Sequence, residues 1–321
     1  MLSLDLLRRK PERVREALQS RGEDPVVVGE VLALDKERRQ ILLEIETLRA
    51  NRNKLSKLVG RTKTGKSSAE LEAVITEAKS LGIHVGGLGQ ISADDVARFL
   101  IHWSQTNIPH MLEEREKALP QVDREIEKLL LSLPNLPRPG VPVARDASGN
   151  RIVRYWGEPK PFSFTPLPHW ELGQRLGILD LEKGARLACS RFFMLTGAGA
   201  KLERALISWM LDLHTERGYR EVYPPAMVRE EALVGSAHLP KFRDTLYRDT
   251  EEDLWLIPTA EVPLANLHRD EILEAEDLPI HYVSYTPCFR REKAAAGRDT
   301  RGIKRVHQFD KVELFKITTP E

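Results

Sequence analysis

The chain has 321 residues, 41% of them hydrophobic and 30% charged, so it is long enough for two domains with sizeable cores. Its 49 Lys and Arg nearly balance its 48 Asp and Glu, so any nucleic-acid partner must bind local basic patches. Cys189 and Cys288 form no CxxC pair, which argues against a disulfide framework or a zinc site; both are predicted to be reduced, as in a cytoplasmic protein. The sequence shows neither the apolar run of a signal peptide nor an apolar stretch of about 18 residues, so no membrane span is expected.

The N-terminal half has the periodicity of long helices. Residues 4–20 predict helix, with Pro11 beginning a second helical piece. Residues 28–60 predict a longer helix, because apolar side chains recur every seven residues, as in coiled coils. Gly60 and the stretch 62–68 are expected to end that helix in a turn. The first heptad stripe comprises Leu34, Ile41, Leu48 and Leu55, with Val31 and Ile45 at the companion position.

A second heptad stripe indicates that the chain returns along the first helix. Two such helices predict an antiparallel hairpin, either a coiled coil or part of an ordinary bundle, since both use the same packing. Residues 83–110 fit neither stripe and are interpreted as an insertion, in which Ser92 caps a short helix. The second stripe comprises Leu112, Leu119, Ile126 and Leu133, with Val122 and Leu129 between them.

The proline-rich segment 132–150 excludes helix and central strand, which predicts a linker. Beyond it, the pattern predicts a helix near 200–217 and strands over 219–225, 280–289 and 304–317. Long loops rather than regular strand-helix alternation join these strands. The predicted fold class is therefore α+β: an antiparallel coiled-coil hairpin followed by an antiparallel sheet domain flanked by helices.

Charged side chains share one face of the last two predicted strands. Alternation places Cys288, Arg290 and Glu292 together on the first strand. The corresponding face of the second strand presents His307, Phe309, Lys311, Glu313 and Phe315. Such charges need solvent or a polar ligand. The basic loop between the strands suits a polyphosphate or a nucleic-acid end, although a solvated hairpin with a basic tip has the same pattern.

Several segments resemble the seryl-tRNA synthetases, which are class II aminoacyl-tRNA synthetases. RREKAAAGRDTRGIKRVHQFDKVELF (290–315) resembles their motif 2, and LIPTAEVPL (256–264) resembles their serine-binding loop. PHWELG (168–173) and LPKF (239–242) resemble further signatures of the family, and residues 184–225 resemble its motif 1. The N-terminal hairpin resembles the family's tRNA-binding arm.

The resemblance implies a domain plan and an activity. A tRNA-binding arm would span 1–131 with its insertion at 83–110, and a catalytic domain would span 151–321 with motifs 1 and 2 but without motif 3. The implied reaction is ATP-dependent activation of L-serine to seryl-adenylate and transfer to tRNA(Ser), with Mg²⁺ bridging the phosphates. The family also serylates tRNA(Sec). A homodimer in the cytoplasm, without a membrane partner, is expected.

The resemblance also implies the site residues. Arg290 would be the catalytic arginine, contacting the ATP α-phosphate and the serine carboxylate, because a planar guanidinium can hold two oxygens. L-serine is expected to contact Thr259, Ala260, Glu261, Arg290 and Glu313. ATP is expected to contact Arg290, Arg291, Glu292, Arg301, Val306 and Phe309. Arg291 stands where the family usually has serine, and strand alternation directs it away from the shared face. No residue is identifiable as a metal ligand.

The arm's positive charge is densest toward its tip, which favours tRNA phosphate contacts, although a charge run is also typical of a solvated helix. The expected tRNA-binding residues are Arg49, Arg52, Lys54, Lys57 and Arg61.

Motif 3 carries the arginine that holds the ATP γ-phosphate in the family, and it does not occur in these 321 residues. The chain alone is therefore expected to have little or no aminoacylation activity. One alternative is a non-catalytic synthetase-like protein that binds tRNA or an amino acid; the ATP-contacting residues argue against it. A coiled-coil interaction protein would not need the loops that resemble substrate-binding ones. A ligase acting on a carrier protein would not need the basic arm.

Overall fold

The computed structural model describes residues 2–64, 68–83, 92–293 and 301–319. The chain falls into two units, Met1–Ile152 and Val153–Glu321. The limits predicted for the arm, its insertion, the linker and the catalytic domain remain interpretations of the sequence. The helices of the first unit are α1 (Leu4–Arg9), α2 (Pro11–Ser20), α3 (Val26–Thr64), α4 (Ser68–Ser80), α5 (Ala93–His102) and α6 (Ile108–Ser132), with a π-helical turn at Trp103–Asn107.

The two heptad stripes meet in the core of the first unit. Burying each of these aliphatic side chains contributes about 1.5–3 kcal/mol, so the apolar stripes hold α3 and α6 together. The contact between the stripes is confirmed, and α2 begins at Pro11 as predicted. The buried members are Val31, Ile41, Ile45 and Leu55 from the first stripe and Leu112, Val122, Ile126 and Leu133 from the second.

The prediction that Gly60 breaks the long helix is wrong, because α3 continues through Gly60; the helix ends at Thr64, within the stretch 62–68 that was predicted to end it. A glycine inside a helix costs about 1 kcal/mol relative to alanine. Leu55 and Leu58, fully buried in one cluster with Val74 of α4, offset that cost by packing. The predicted tip turn at 65–67 lies outside the described residues.

The described part of the predicted insertion packs within the arm. Ser92 caps α5 as predicted, since its hydroxyl accepts the Asp95 N–H while the Asp95 carboxylate accepts the Ser92 N–H. Val96 and Leu100 are buried in the same cluster as the α3 side chains. The apolar face of α5 is therefore covered by the arm itself. Residues 84–91 lie outside the described part of the chain.

A buried carboxylate ties α1 to α3. The Asp35 side chain is fully buried and accepts hydrogen bonds from Arg8, at 2.9 Å from Nε and 2.5 Å from Nη2. The Arg39 Nε lies 3.2 Å from the same carboxylate. The hydrogen bonds from Arg8 lower the pKa of Asp35 against the opposing effect of burial. The sequence analysis assigned Asp35 no role.

We expect Asp35→Asn to lower the free energy of unfolding by about 2–3 kcal/mol at pH 7, because Arg8 then loses the partner of its charge. Since the pKa of Asp35 is lowered by folding, its stabilisation is present above the unfolded pKa of about 3.9 and is lost as the pH falls through the native value. The difference between the variant and the parent should therefore shrink in acid. Urea unfolding followed by circular dichroism at several pH values measures it.

Asp123→Asn is the matched control for this prediction. It breaks the Arg38–Asp123 pair, in which Nε and Oδ1 are 2.6 Å apart and both side chains are partly exposed. Exposed pairs contribute about 1 kcal/mol or less. Equal losses in the two variants would contradict the role given to Asp35.

The second unit is a small mixed sheet with helices around it. Its helices are α7 (His169–Arg175), α8 (Leu181–Leu187), α9 (Ala198–Thr215), α10 (Glu230–Gly235) and α11 (Glu261–Ala265). Its strands are β1 (Leu179–Asp180), β2 (Met194–Leu195), β3 (Arg220–Glu221), β4 (Met227–Val228), β5 (Trp255–Leu256), β6 (Ile280–Phe289) and β7 (Gln308–Ile317). Among the helices that the structure describes, none has both the length and the apolarity needed to cross a membrane.

The central sheet has the order β3-β6-β7. β6 and β7 pair antiparallel along their whole length, as predicted, and the predicted strand 280–289 coincides with β6. The prediction of an antiparallel sheet is wrong at one edge, because β3 pairs parallel with β6. The long connection between β3 and β6 allows the two strands to run parallel. The predicted strand at 304–317 begins only at Gln308, because the chain bends through residues 301–305.

Candidate active site

The face shared by β6 and β7 holds the candidate site. In the antiparallel register Cys288 pairs with Phe309, and Thr286 pairs with Lys311. Glu313, two residues beyond Lys311, lies on the same face. The Arg290 N–H donates to the His307 carbonyl at 2.8 Å, which continues the pairing beyond the strand ends. The predicted sharing of one face is confirmed by the contacts of Arg290 with Phe309 and of Lys311 with Glu313. It is wrong for His307, whose ring stacks on Phe192 and whose Nδ1 lies 3.1 Å from the Tyr247 hydroxyl.

Arg290 lies between an aromatic ring and a loop. Its Cζ is 5.0 Å from the centroid of the Phe309 ring, a cation–π geometry. Its Nε donates to the Pro258 carbonyl at 3.4 Å. These contacts hold the guanidinium at a cavity of about 310 Å³. The other residues lining that cavity are Glu292, Ile303, Lys304, Arg305, Val306 and Phe309.

Glu292 forms an ion pair with Arg305, which lies shortly before the start of β7. Its carboxylate accepts a hydrogen bond from Arg305 Nη1 at 2.9 Å, and only 13% of its side chain is exposed. Its backbone has φ +48°, in the left-handed region that non-glycine residues seldom adopt. A ligand amino group contacting Glu292 would have to share the carboxylate with Arg305. A second cavity of about 350 Å³ is also lined by Arg290 and Glu292, together with His238, Phe242 and Pro258 among others.

A hydrogen-bond network joins the residues that were predicted to contact serine. The buried Thr259 hydroxyl donates to the Glu313 carboxylate at 2.6 Å and accepts from Lys311 Nζ at 2.9 Å. Lys311 also forms an ion pair with Glu313. One carboxylate, one ammonium and one hydroxyl thus satisfy each other where a small polar ligand is expected. Glu261 is exposed beside them, and its N–H is 3.4 Å from the Thr259 hydroxyl.

Three residues that were predicted to contact the substrates have side chains outside this network and the cavity beside Arg290. The Ala260 side chain is buried in an apolar cluster with Leu264 and Tyr282, so it faces the core rather than a substrate. Arg291 lies with its Cζ 5.7 Å from the Tyr247 ring and does not line the cavity beside Arg290 and Phe309, as strand alternation predicts. Arg301 lines a separate cavity with Trp170, Arg191 and Phe192, because the bend at 301–305 turns it aside.

Burial shifts the pKa of two titratable groups near Arg290 in the direction that favours their uncharged forms. Burial lowers the pKa of His238, although the Glu261 carboxylate opposes this. Burial also raises the pKa of the Cys288 thiol, so it is a poor nucleophile at neutral pH. Cys189 and Cys288 are both free.

The predicted tRNA-binding residues of α3 differ in their partners. Arg49 pairs with Glu116 at 2.8 Å and Arg61 with Glu77 at 2.6 Å, so their charges are partly satisfied within the arm. Arg52, Lys54 and Lys57 are exposed, and no carboxylate among the described residues pairs with them. Of the five predicted residues, Arg52, Lys54 and Lys57 are therefore the most available for contacts with phosphate groups.

Sequence reasoning gave no role to Lys311 or Arg305. Alternation had placed Lys311 on the shared face, but its contact with Thr259 depends on a loop 52 residues away. Arg305 stood out only as one of several basic loop residues. Among the described residues, no group of three His, Cys, Asp or Glu side chains could hold a metal ion.

Family models match both parts of the chain. Residues 1–94 match the seryl-tRNA synthetase N-terminal domain. Residues 242–321 match the class II core domain of the tRNA synthetases for G, H, P, S and T.

Whole-chain relatives give the same result. The chain is 48% identical over 321 residues to the serine--tRNA ligase of Roseiflexus castenholzii, covering all of this chain and 69% of that protein. It is 49% identical over 322 residues to the corresponding ligase of Dehalococcoides mccartyi, of which it covers 68%. The seryl-tRNA synthetase of Pyrococcus horikoshii complexed with ATP superposes with a TM-score of 0.82 at 35% identity, covering 98% of this chain and 69% of that one. The cytoplasmic serine-tRNA ligase of Naegleria fowleri in complex with AMP superposes with a TM-score of 0.82 at 28% identity, covering all of this chain and 71% of that one.

Proposed function

This chain belongs to the seryl-tRNA synthetase family, and we propose from that premise that the protein carrying it activates L-serine with ATP and transfers it to tRNA(Ser). The observation that carries the proposal is the arrangement on the β6–β7 face. Arg290 contacts the Phe309 ring, which lines a cavity with Glu292, and also the carbonyl of Pro258, which precedes Thr259 of the Thr259–Lys311–Glu313 network. A nucleotide and a small hydroxy amino acid could then meet at one guanidinium.

The chain's own residues suit the first step. The serine carboxylate attacks the ATP α-phosphorus, pyrophosphate leaves, and seryl-adenylate remains. Arg290 can hold one oxygen of each reactant with its planar fork, which aligns them and stabilises charge on the phosphoryl group. Phe309 offers an aromatic surface for adenine, and Val306 closes the cavity wall. No protein nucleophile is required.

Serine selectivity follows from the buried network. Glu313 can accept a hydrogen bond from the serine hydroxyl, and Thr259 and Glu261 are proposed to hold the substrate amine. Alanine would leave the carboxylate with one partner fewer, which costs binding because the group is already desolvated. Mg²⁺ is proposed to enter with the ATP phosphates, since the described residues provide no trio of ligands for it.

The proposal is tested by measuring the serine-dependent exchange of pyrophosphate into ATP by the purified protein. We expect exchange with L-serine and at least about a hundredfold less with L-alanine. Binding of tRNA or serine without any exchange would favour the non-catalytic alternative.

A homodimer is proposed through the motif 1 helix. α9 packs on β6 and β7, yet Leu202, Leu206 and Trp209 on it are 47–60% exposed. Such a row of large apolar side chains on one helix suits a subunit contact. Pro225 follows this region in the chain and would help to shape the same surface. Sedimentation of the protein as a monomer at micromolar concentration would contradict the dimer.

We expect neutralisation of Arg52, Lys54 and Lys57 to glutamine to weaken tRNA(Ser) binding and to reduce its salt dependence. If each contacts a phosphate, the slope of log K against log salt should fall by roughly 2–3. Filter binding between about 50 and 200 mM salt measures it. The matched control replaces the exposed Lys117, Arg124 and Lys128 of α6. An equal loss in both triple variants would show that the arm attracts tRNA only by overall charge.

A further inference from the structure

The proposed ATP cavity is bounded by a segment whose position depends on a distant histidine. His169 is the first residue of α7, directly after Pro168. Its Nε2 accepts a hydrogen bond from the Ile303 N–H at 2.9 Å, across 134 residues of sequence. Ile303 in turn lines the cavity of Arg290, Glu292 and Phe309.

The neighbouring glycine shows how closely this segment approaches the histidine. Gly302 has φ +79°, and a Cβ added there would lie 2.2 Å from His169 Nε2 and 2.8 Å from Trp170 Cε3. The histidine ring meets the Trp170 ring edge-on at 5.1 Å. The pair His169–Trp170 therefore forms a seat that accepts only a residue without a side chain.

The seat also fixes the residues that come next along the chain. Arg305 lies two residues beyond Ile303 and pairs with Glu292, and Val306 is buried in the cavity wall. A shift of Ile303 would move Arg305 and Val306 relative to Arg290. We propose that His169 is a positioning residue for ATP: through its hydrogen bond to Ile303 it fixes the wall of the ATP cavity, without touching the nucleotide. This inference rests on the proposed function.

The hydrogen bond also fixes the tautomer of the ring. Since Nε2 accepts from a backbone N–H, the proton of the neutral imidazole is on Nδ1. The role therefore requires an acceptor at the Nε2 position. Glutamine can place its Oε1 near that position, whereas leucine fills similar space without an acceptor.

The test compares the His169→Leu and His169→Gln variants with the parent protein. Hydrogen exchange read by mass spectrometry reports the Ile303 amide directly. We expect His169→Leu to speed its exchange about tenfold or more and to raise the Kd for ATP, measured by calorimetry, about five- to tenfold. His169→Gln should keep both values within about threefold of the parent. The Kd for L-serine should change less than about twofold in either variant.

The controls separate this inference from the proposed function. His110→Leu makes the same chemical change on the exposed surface of α6 and should alter neither readout. If the parent protein does not bind ATP, the proposed function fails. If it binds ATP but His169→Leu leaves the Kd and the Ile303 exchange unchanged, the positioning role is overturned. Equal losses in the leucine and glutamine variants would likewise overturn it, because packing alone would then explain them.

Discussion

Replacing Arg290 with alanine is expected to lower serine-dependent pyrophosphate exchange about a thousandfold. The variant removes the one cation between the Phe309 ring and the Pro258 carbonyl, so charge on the phosphoryl group loses its main partner. Arg290→Lys should fall by roughly a hundredfold, because an ammonium keeps the charge but cannot hold two oxygens in one plane. Initial exchange rates at saturating ATP and serine measure both effects.

Arg229→Ala is the matched control, since Arg229 is an exposed arginine just before α10, outside the β6–β7 face. It should change exchange by less than about twofold, as surface substitutions seldom matter. Exchange by Arg290→Ala within tenfold of the parent protein would show that another group neutralises the phosphate.

The second large effect is expected at Glu313. Glu313→Gln should lower kcat/KM for serine in pyrophosphate exchange by about a hundredfold or more, because Lys311 keeps its charge while its carboxylate partner is lost. The KM for ATP should change little, since Glu313 contacts Thr259 and Lys311 rather than the residues of the ATP cavity. Serine and ATP titrations of the exchange rate separate the two.

Asp310→Asn provides the control on the same strand. Asp310 points from the opposite face of β7 and accepts a hydrogen bond from the Tyr285 hydroxyl at 2.8 Å. It should leave the kcat/KM for serine within about threefold of the parent value. A similar loss in the two variants would mean that charge anywhere on β7, and not the network with Thr259, controls serine use.

Local patterns predicted the features that depend on neighbouring residues. The heptad stripes predicted the contact of α3 with α6, and strand alternation predicted which side chains of β6 and β7 share a face. The cap at Ser92 followed from its acidic first turn. Each of these depends on residues within about one or two turns or strand repeats.

Features that depend on partners far apart in the chain could not be predicted from local sequence patterns. The burial of Asp35 requires Arg8 from another helix, and Lys311 finds Thr259 across 52 residues. The parallel pairing of β3 with β6 depends on how the chain returns over the sheet, which no local pattern encodes. The continuation of α3 through Gly60 was misjudged because packing of Leu55 and Leu58 outweighed the weak preference of Gly60.

The ammonium of Lys311 already neutralises Glu313 when no substrate is present. On the proposed amino-acid side, the Glu313 charge is thus balanced, and the exposed Glu261 adds a single negative charge. Because the serine zwitterion carries no net charge, salt should affect its approach little. On the proposed nucleotide side, three basic residues (Arg290, Lys304 and Arg305) and one acidic residue (Glu292) line one cavity, so basic side chains outnumber acidic ones there. Raising the ionic strength should therefore weaken capture of the polyanion while leaving capture of the amino acid nearly constant.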